Sequence, residues 1–169
     1  MSTSAEYSVR RARTSDVPHV RRLVDAYSND RILLSKEMVT LYEDVQEFWV
    51  AEAAGAVIGC GALHVMWEDL AEVRTLATDP QWRGRGVGST LLDRLVAAAR
   101  ELGISRVFCL TFEVDFFERH GFEVLEGTPV EPEVYVQLLR SYDEGVAEFL
   151  DLDRVKPNTL GNTRMLLRF

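Results

Sequence analysis

Cysteine is nearly absent from this chain: Cys60 and Cys109 are the only two in 169 residues. They form neither a Cys-x-x-Cys pair nor part of a Cys/His cluster, so nothing points to a disulfide framework or a zinc site. Both lie in apolar, strand-like stretches and read as buried free thiols, which behave as small hydrophobes. Cys109 as a nucleophile is disfavoured, because it precedes a strand end instead of occupying an exposed turn. Histidine is equally sparse. His19, His64 and His120 are scattered without a triad arrangement and read as structural or surface residues. Positive charge is also short, with 19 Lys and Arg against 27 Asp and Glu and a net charge of −8. That balance argues against nucleic acid or an anionic membrane as a partner. No apolar run approaches the roughly 20 residues of a membrane span. Residues 1–6 lack the basic-then-apolar order of a signal peptide, so the cytoplasm is the expected location.

Internal repeats, low-complexity tracts and long linkers are missing as well. A single domain over 1–169 is therefore expected, within the usual size range. The coarse element order reads β-α-α-β-β-β-α-β-α-β-α-β. A first strand covers 8–13, and Thr14 or Ser15 caps a helix to about residue 27, with Pro18 tolerated in its first turn. After a turn at Asn29-Asp30, a short helix spans 35–43. Residues 48–52, Ala54-Gly55 and 57–67 form a hairpin. Residues 70–78 read as a buried strand closed by Asp79-Pro80, since Pro80 cannot continue a central strand. Residues 89–102 form a helix: Val87, Leu91, Leu95, Val96 and Ala99 recur at helical spacing, and Gly103 ends it. A second buried parallel strand covers 106–111, followed by a short helix over 115–120. Pro129, Glu131 and Pro132 open another helix, and residues 165–169 end the chain as a strand.

What the chain does have is concentrated between Glu72 and Gly88, where an apolar strand breaks into Arg83-Gly84-Arg85-Gly86-Val87-Gly88-Ser89 and then a helix. Strand, glycine loop and helix start aim several backbone N–H groups and a positive helix end at one point. Arg83 and Arg85 add formal charge there, so the loop suits a phosphate-bearing ligand. It lacks the lysine and spacing of a P-loop. It also fails the dinucleotide pattern G-x-G-x-x-G, because Leu91 stands at the third glycine position. The bland alternative is an ordinary glycine-rich turn before a helix.

The loop does fit Arg-x-x-Gly-x-Gly at Arg83, Gly86 and Gly88, and so resembles the acyl-CoA pyrophosphate loop of the GNAT acyltransferase superfamily. Phe116-Phe-Glu-Arg-His-Gly-Phe122 resembles that superfamily's later Phe-Tyr-x-x-x-Gly-Phe motif. The resemblance implies an α/β (α+β) fold: one GNAT-type domain with a mixed central sheet, splayed between two parallel strands and flanked by helices. It implies acetyl-CoA as co-substrate, with no metal. Arg83, Gly84, Arg85, Gly86, Val87, Gly88 and Ser89 would surround the pyrophosphate. Leu76 and Ala77 would meet the pantetheine on exposed strand backbone, and Phe117 would stand beside the cofactor.

Within that frame Glu72 is the expected general base, since acyl transfer needs the acceptor ammonium deprotonated. Its alternative is a strand acid salt-bridged to Arg74, two residues on and on the same face. The family's usual tyrosine is replaced in Phe116-Phe117. Either the CoA thiolate leaves unprotonated beside a helix start, or another hydroxyl serves, with Thr111 the nearest in sequence. Thr111 also reads as a capping or strand threonine.

Residues 31–36, 42–50, 60–65, 141–152 and 156–164 together resemble the short actinobacterial form of N-acetylglutamate synthase, nearly end to end. That implies acetyl transfer to the α-amino group of L-glutamate, the entry step of arginine biosynthesis. A substrate with two carboxylates needs two cationic or N–H-rich subsites. Lys36 stands where the family carries an arginine for a substrate carboxylate, and Arg31, Arg74, Lys156 and Arg164 are further candidates. Each of these has an alternative as a surface cation. Another small amine such as L-glutamine, or a non-catalytic acyl-CoA-binding module, stays open. So does a homodimer.

Overall fold

The computed structural model describes residues 6–28, 37–158 and 161–169. Its strands hydrogen-bond in the order β1-β2-β3-β4-β5-β7-β6, a mixed seven-stranded sheet with helices around it, so the α/β expectation holds. The chain packs as two compact units, residues 1–64 with 73–102 and residues 65–72 with 103–169.

The first unit holds β1 (Ser8–Arg11), α1 (Val17–Ser28), α2 (Met38–Glu43), β2 (Phe48–Ala53), most of β3 (Ala56–Trp67), the later part of β4 (Leu70–Thr78) and α3 (Val87–Glu101). β1, β2 and β3 pair antiparallel in turn, with a register shift at Ala51/Glu52. Val20, Leu23 and Val24 of α1 pack with Leu41, Val50, Cys60 and Ala77 in one apolar cluster. β3 carries two glycines for a steric reason. A Cβ on Gly59 would stand 2.9 Å from Val87 Cγ1, and one on Gly61 would stand 2.8 Å from Leu95 Cδ1. Bare backbone there lets α3 lie close, and Val87, Leu91, Leu92, Leu95, Ala98 and Ala99 are its buried side. Trp49 adds a further clamp, with the guanidinium carbons of Arg94 at 4.1 Å and Arg11 at 4.7 Å from its ring.

The entrance to α1 differs from expectation. Neither Thr14 nor Ser15 supplies a side-chain cap; residues Thr14–Asp16 form a 3-10 turn. Asp16, only 5% exposed, accepts from the Arg13 N–H at 2.7 Å and holds both terminal nitrogens of Arg10 at 2.7 and 3.0 Å. A carboxylate can take an N–H and a guanidinium together, which a hydroxyl cannot match in strength. β1 also ends two residues earlier than expected, although the Ala12 N–H still reaches Phe48 O at 3.0 Å.

The second unit holds the end of β3, the start of β4, β5 (Arg106–Thr111), α4 (Val114–Arg119), β6 (Glu123–Val124), α5 (Pro132–Leu138), α6 (Glu144–Phe149) and β7 (Thr163–Arg168). β4 and β5 pair in parallel over Leu70–Glu72 and Arg106–Phe108, while β5 pairs antiparallel with β7 along its whole length. Leu70, Phe108, Leu125, Leu138, Val146, Phe149 and Leu166 form the core. Helix α6 has no counterpart in the sequence expectation. Asp143 caps it, accepting from Val146 N at 3.0 Å, but Gly145 inside it weakens the helical signal.

Candidate active site

The glycine loop begins where β4 stops, and several bonds fix that point. Asp79 N donates to Ile58 O at 2.8 Å, and the Tyr27 hydroxyl donates to Thr78 O. Asp79 then caps a 3-10 turn over Pro80–Trp82, accepting from Gln81 N at 2.9 Å. Beyond it Gly84 and Gly86 adopt φ of +77° and +82°. A Cβ on Gly84 would meet nothing within 4 Å, and one on Gly86 would meet only the Tyr7 hydroxyl at 4.0 Å. Glycine is therefore required by the left-handed backbone and not by crowding.

Gly86 is the N-cap of α3. No side chain caps the helix, and its first turn contains no acidic residue. The leading N–H groups, at Val87, Gly88 and Ser89, belong to a 15-residue helix whose positive end favours an anion. Both loop arginines lean on aromatic rings. Arg83 Nε lies 3.3 Å from the Tyr27 hydroxyl, with its guanidinium carbon 5.2 Å from that ring's centre. Arg85 stacks over Trp82 at 4.7 Å and pairs with Glu6 at 3.2 Å. Backbone N–H groups, a helix end and two aromatic-braced cations thus come together in one exposed turn of a chain of net negative charge, an arrangement chemically suited to an anion.

Leu76 and Ala77 lie on the same strand just before the loop, Ala77 buried and Leu76 half-buried. Thr75, immediately before them, has φ of +58°. That conformation is a genuine outlier for a β-branched residue, and it interrupts the regular strand. The Thr75 carbonyl accepts from the Cys60 thiol at 3.4 Å.

In the second unit, Glu72 lies opposite Phe108 at the end of the parallel pairing and is only 7% exposed. Its charge is felt across the strands. Burial first, and the negative charge of Glu72 second, push the Cys109 thiol well above its ordinary value. Thr111, the last residue of β5, is 8% exposed, and its hydroxyl oxygen accepts from Glu113 N at 2.8 Å. That bond turns the chain from β5 into α4. It uses the oxygen as an acceptor and leaves the hydroxyl proton to be donated. Phe117 is buried, edge-on to Phe116 and Phe122 with ring centres 5.1 Å apart in both pairs.

The expected substrate cations fall in different places. Arg31 and Lys36 lie outside the described residues. Arg74 is half-buried on β4. Arg164, 9% exposed, donates from Nε to Glu148 O at 2.9 Å and from Nη2 to Gly127 O at 2.9 Å and to Phe149 O. Burial lowers the proton affinity of this guanidinium, while Asp151 and Glu148 oppose that effect. Lys156 pairs with Asp151 and stands 4.0 Å from Glu148. Among the described residues no group of three or more His, Cys, Asp or Glu could hold a metal ion. Sequence reasoning missed Tyr27, Tyr7 and Trp82 as loop neighbours. Trp82, one residue from Arg83, was the one signal within reach.

Known proteins share this fold. A family model described as an acetyltransferase (GNAT) domain matches residues 44–124. The amino-acid acetyltransferase of Mycobacterium tuberculosis is 62% identical over 162 residues, covering 94% of this chain and 92% of the relative. The crystal structure of Rv2747 from Mycobacterium tuberculosis in complex with CoA and NLQ matches with a TM-score of 0.92 and 61% identity, over 96% of this chain and 99% of that one. N-acetylglutamate synthase from Neisseria gonorrhoeae, complexed with coenzyme A and N-acetyl-glutamate, matches with a TM-score of 0.78 and 26% identity. This chain spans 36% of that longer protein.

Proposed function

We propose, since this chain belongs to the GNAT acetyltransferase family, that it transfers the acetyl group of acetyl-CoA to the α-amino group of L-glutamate. The product is N-acetyl-L-glutamate, and the step is the entry to arginine biosynthesis. The observation that carries the cofactor half is the loop: two left-handed glycines leading into an uncapped helix start between aromatic-braced arginines. The acceptor is supported by a relative at 62% identity that is an amino-acid acetyltransferase. It is supported also by a structural neighbour that holds N-acetyl-glutamate. No helix among the described residues is long and apolar enough to cross a membrane, and the enzyme acts in the cytoplasm on small molecules.

The chemistry is direct attack. Glu72 takes a proton from the α-ammonium, directly or through one water, and frees the nitrogen lone pair. That pair forms the new C–N bond at the thioester carbonyl; the carbonyl π electrons move to oxygen. The attacking nitrogen then loses its second proton to water, collapse of the tetrahedral intermediate breaks the C–S bond, and the CoA thiolate leaves. Thr111 Oγ1 gives it a proton and takes one back from solvent. The pyrophosphate is held by Arg83, Arg85 and the N–H groups of residues 84–89, and the pantetheine runs along Leu76 and Ala77. Lys36, with Arg31 and Arg74, binds the glutamate carboxylates. Arg164, with Nε and Nη2 on main-chain carbonyls, ties down the end of α6 and is left out of the substrate set.

The test is a panel of amines with acetyl-CoA, read by thiol release, with L-glutamate, L-glutamine and an aminoglycoside as arms. Glutamate should give the highest kcat/KM. A clear preference for glutamine would move the acceptor, and no turnover with any amine despite CoA binding would make the chain a binding module.

A further inference from the structure

Arginine side chains are flexible, and ordering one on a ligand has an entropic cost unless the protein has already ordered it. Arg83 is the first cation of the loop, on an exposed stretch of chain. It is braced by a residue far away in sequence. Tyr27 lies in the last turn of α1, half-buried against the apolar cluster of the first unit. Its hydroxyl donates to Thr78 O, the last carbonyl of β4, and accepts from Arg83 Nε at 3.3 Å. Its ring also lies 5.2 Å from the Arg83 guanidinium carbon. Both roles of one hydroxyl are thereby used, one on the strand that leads into the loop and one on the loop's arginine. With Nε on the tyrosine, the guanidinium plane is set by the ring and the hydroxyl together.

We propose that Tyr27 is a positioning residue for acetyl-CoA, presetting Arg83 to receive the pyrophosphate through the bond from Arg83 Nε to its hydroxyl. This rests on the cofactor reading of the loop and adds a residue to it. Tyr27 touches no reacting atom. Its effect is confined to the phosphate end of the ligand, which makes it separable from a general packing role. A donor ending at pantetheine lacks the pyrophosphate and has nothing for Arg83 to hold.

The experiment titrates the full chain with CoA, which needs no knowledge of the acceptor, and compares wild type, Tyr27→Phe, Arg83→Ala and the double variant. Tyr27→Phe keeps the ring and its packing and removes only the hydroxyl. Its Kd for CoA should rise about 3- to 10-fold, and that of Arg83→Ala about 5- to 100-fold. The double variant should match Arg83→Ala alone, because the hydroxyl acts only through that arginine. In turnover, Tyr27→Phe should raise KM for acetyl-CoA and leave KM for acetyl-pantetheine at the wild-type value. Wild-type CoA affinity in Tyr27→Phe, with Arg83→Ala weakened, overturns the proposal and spares the cofactor reading. Additive losses, or an equal rise in KM for both donors, overturn it too by making Tyr27 a packing residue. A wild-type chain that does not bind CoA removes the cofactor reading, and the proposal falls with it.

Discussion

Replacing Gly86 by alanine separates backbone conformation from crowding in the loop. The residue has φ of +82° and ψ of 7°, and its carbonyl accepts from the N–H and the hydroxyl of Thr90 at 3.0 and 2.9 Å. A new Cβ would meet only the Tyr7 hydroxyl at 4.0 Å, an ordinary contact. Sterics with neighbours therefore contribute little. What remains is the cost of an L-residue in the left-handed region, about 1–2 kcal/mol. The loop can keep its shape at that cost, or rotate residue 86 away and turn its N–H groups from the ligand. In either case the binding-competent loop is disfavoured by a similar energy relative to wild type or to the relaxed loop. Affinity for CoA should then fall about 5- to 30-fold by calorimetric titration if the loop relaxes in the free protein.

Thermal unfolding tells the two responses apart. A loop that keeps its shape lowers Tm by about 2–4 °C per kcal/mol for a chain of this size, whereas a relaxed loop moves Tm less and loses more affinity. Gly103→Ala is the matched control. Its φ is +90°, a Cβ there would meet nothing within 4 Å, and it follows the other end of α3. It should lower Tm by a similar amount and leave the Kd for CoA alone. Wild-type Tm and wild-type Kd together in Gly86→Ala would refute the reasoning, since strain then acts on neither fold nor ligand.

Glu72→Gln keeps size and removes the base, so turnover should fall roughly 10²–10⁴-fold with CoA binding intact, and the residual rate should climb with pH as free amine accumulates. Near-normal turnover at neutral pH would make Glu72 structural. Thr111→Val should slow transfer most at low pH. The deficit should shrink as pH approaches the roughly 8.5 of a free thiol, where the thiolate leaves unaided; a deficit independent of pH would assign the hydroxyl to the turn alone. The Asp16 carboxyl is held below its ordinary 3.8, chiefly by its bonds to Arg10. Its stabilisation is therefore complete above that value and is lost as pH falls below it. Asp16→Asn should cost about 1–3 kcal/mol at neutral pH and flatten the acid limb of Tm against pH. The Cys60 thiol is pushed up to about 12 by burial, and the Cys109 thiol is raised by burial first and by Glu72 second. Neither should react with a disulfide reagent until the chain unfolds, and labelling of the native protein would contradict the buried-thiol assignment.

The loop was legible because the residues that compose it are contiguous. Arg83, the two left-handed glycines and the periodic stripe of α3 occupy consecutive turns of chain, and turn chemistry is local. The strand of Glu72 was legible because Asp69 and Pro80 bracket it. Arg164 was not, since its partners are the carbonyls of Gly127, Glu148 and Phe149, and a carbonyl leaves no mark in a sequence. The Tyr27 link to Arg83 spans 56 positions and carries no spacing rule. The bond from the Arg13 N–H back to Asp16 was masked by two hydroxyl residues standing just before Asp16, good caps by preference but without a charge for Arg10.

Net charge and local charge part company in this protein, and the site depends on their doing so. At −8 the chain as a whole repels a ligand with several phosphate charges, and at 0.15 M salt that repulsion fades beyond about 8 Å. The loop acts inside that distance. Helix α3 presents its positive end with no acid in the first turn, and Trp82 and Tyr27 brace the loop's two arginines. A tight grip on the pyrophosphate therefore needs no basic surface, only a few donors already in place.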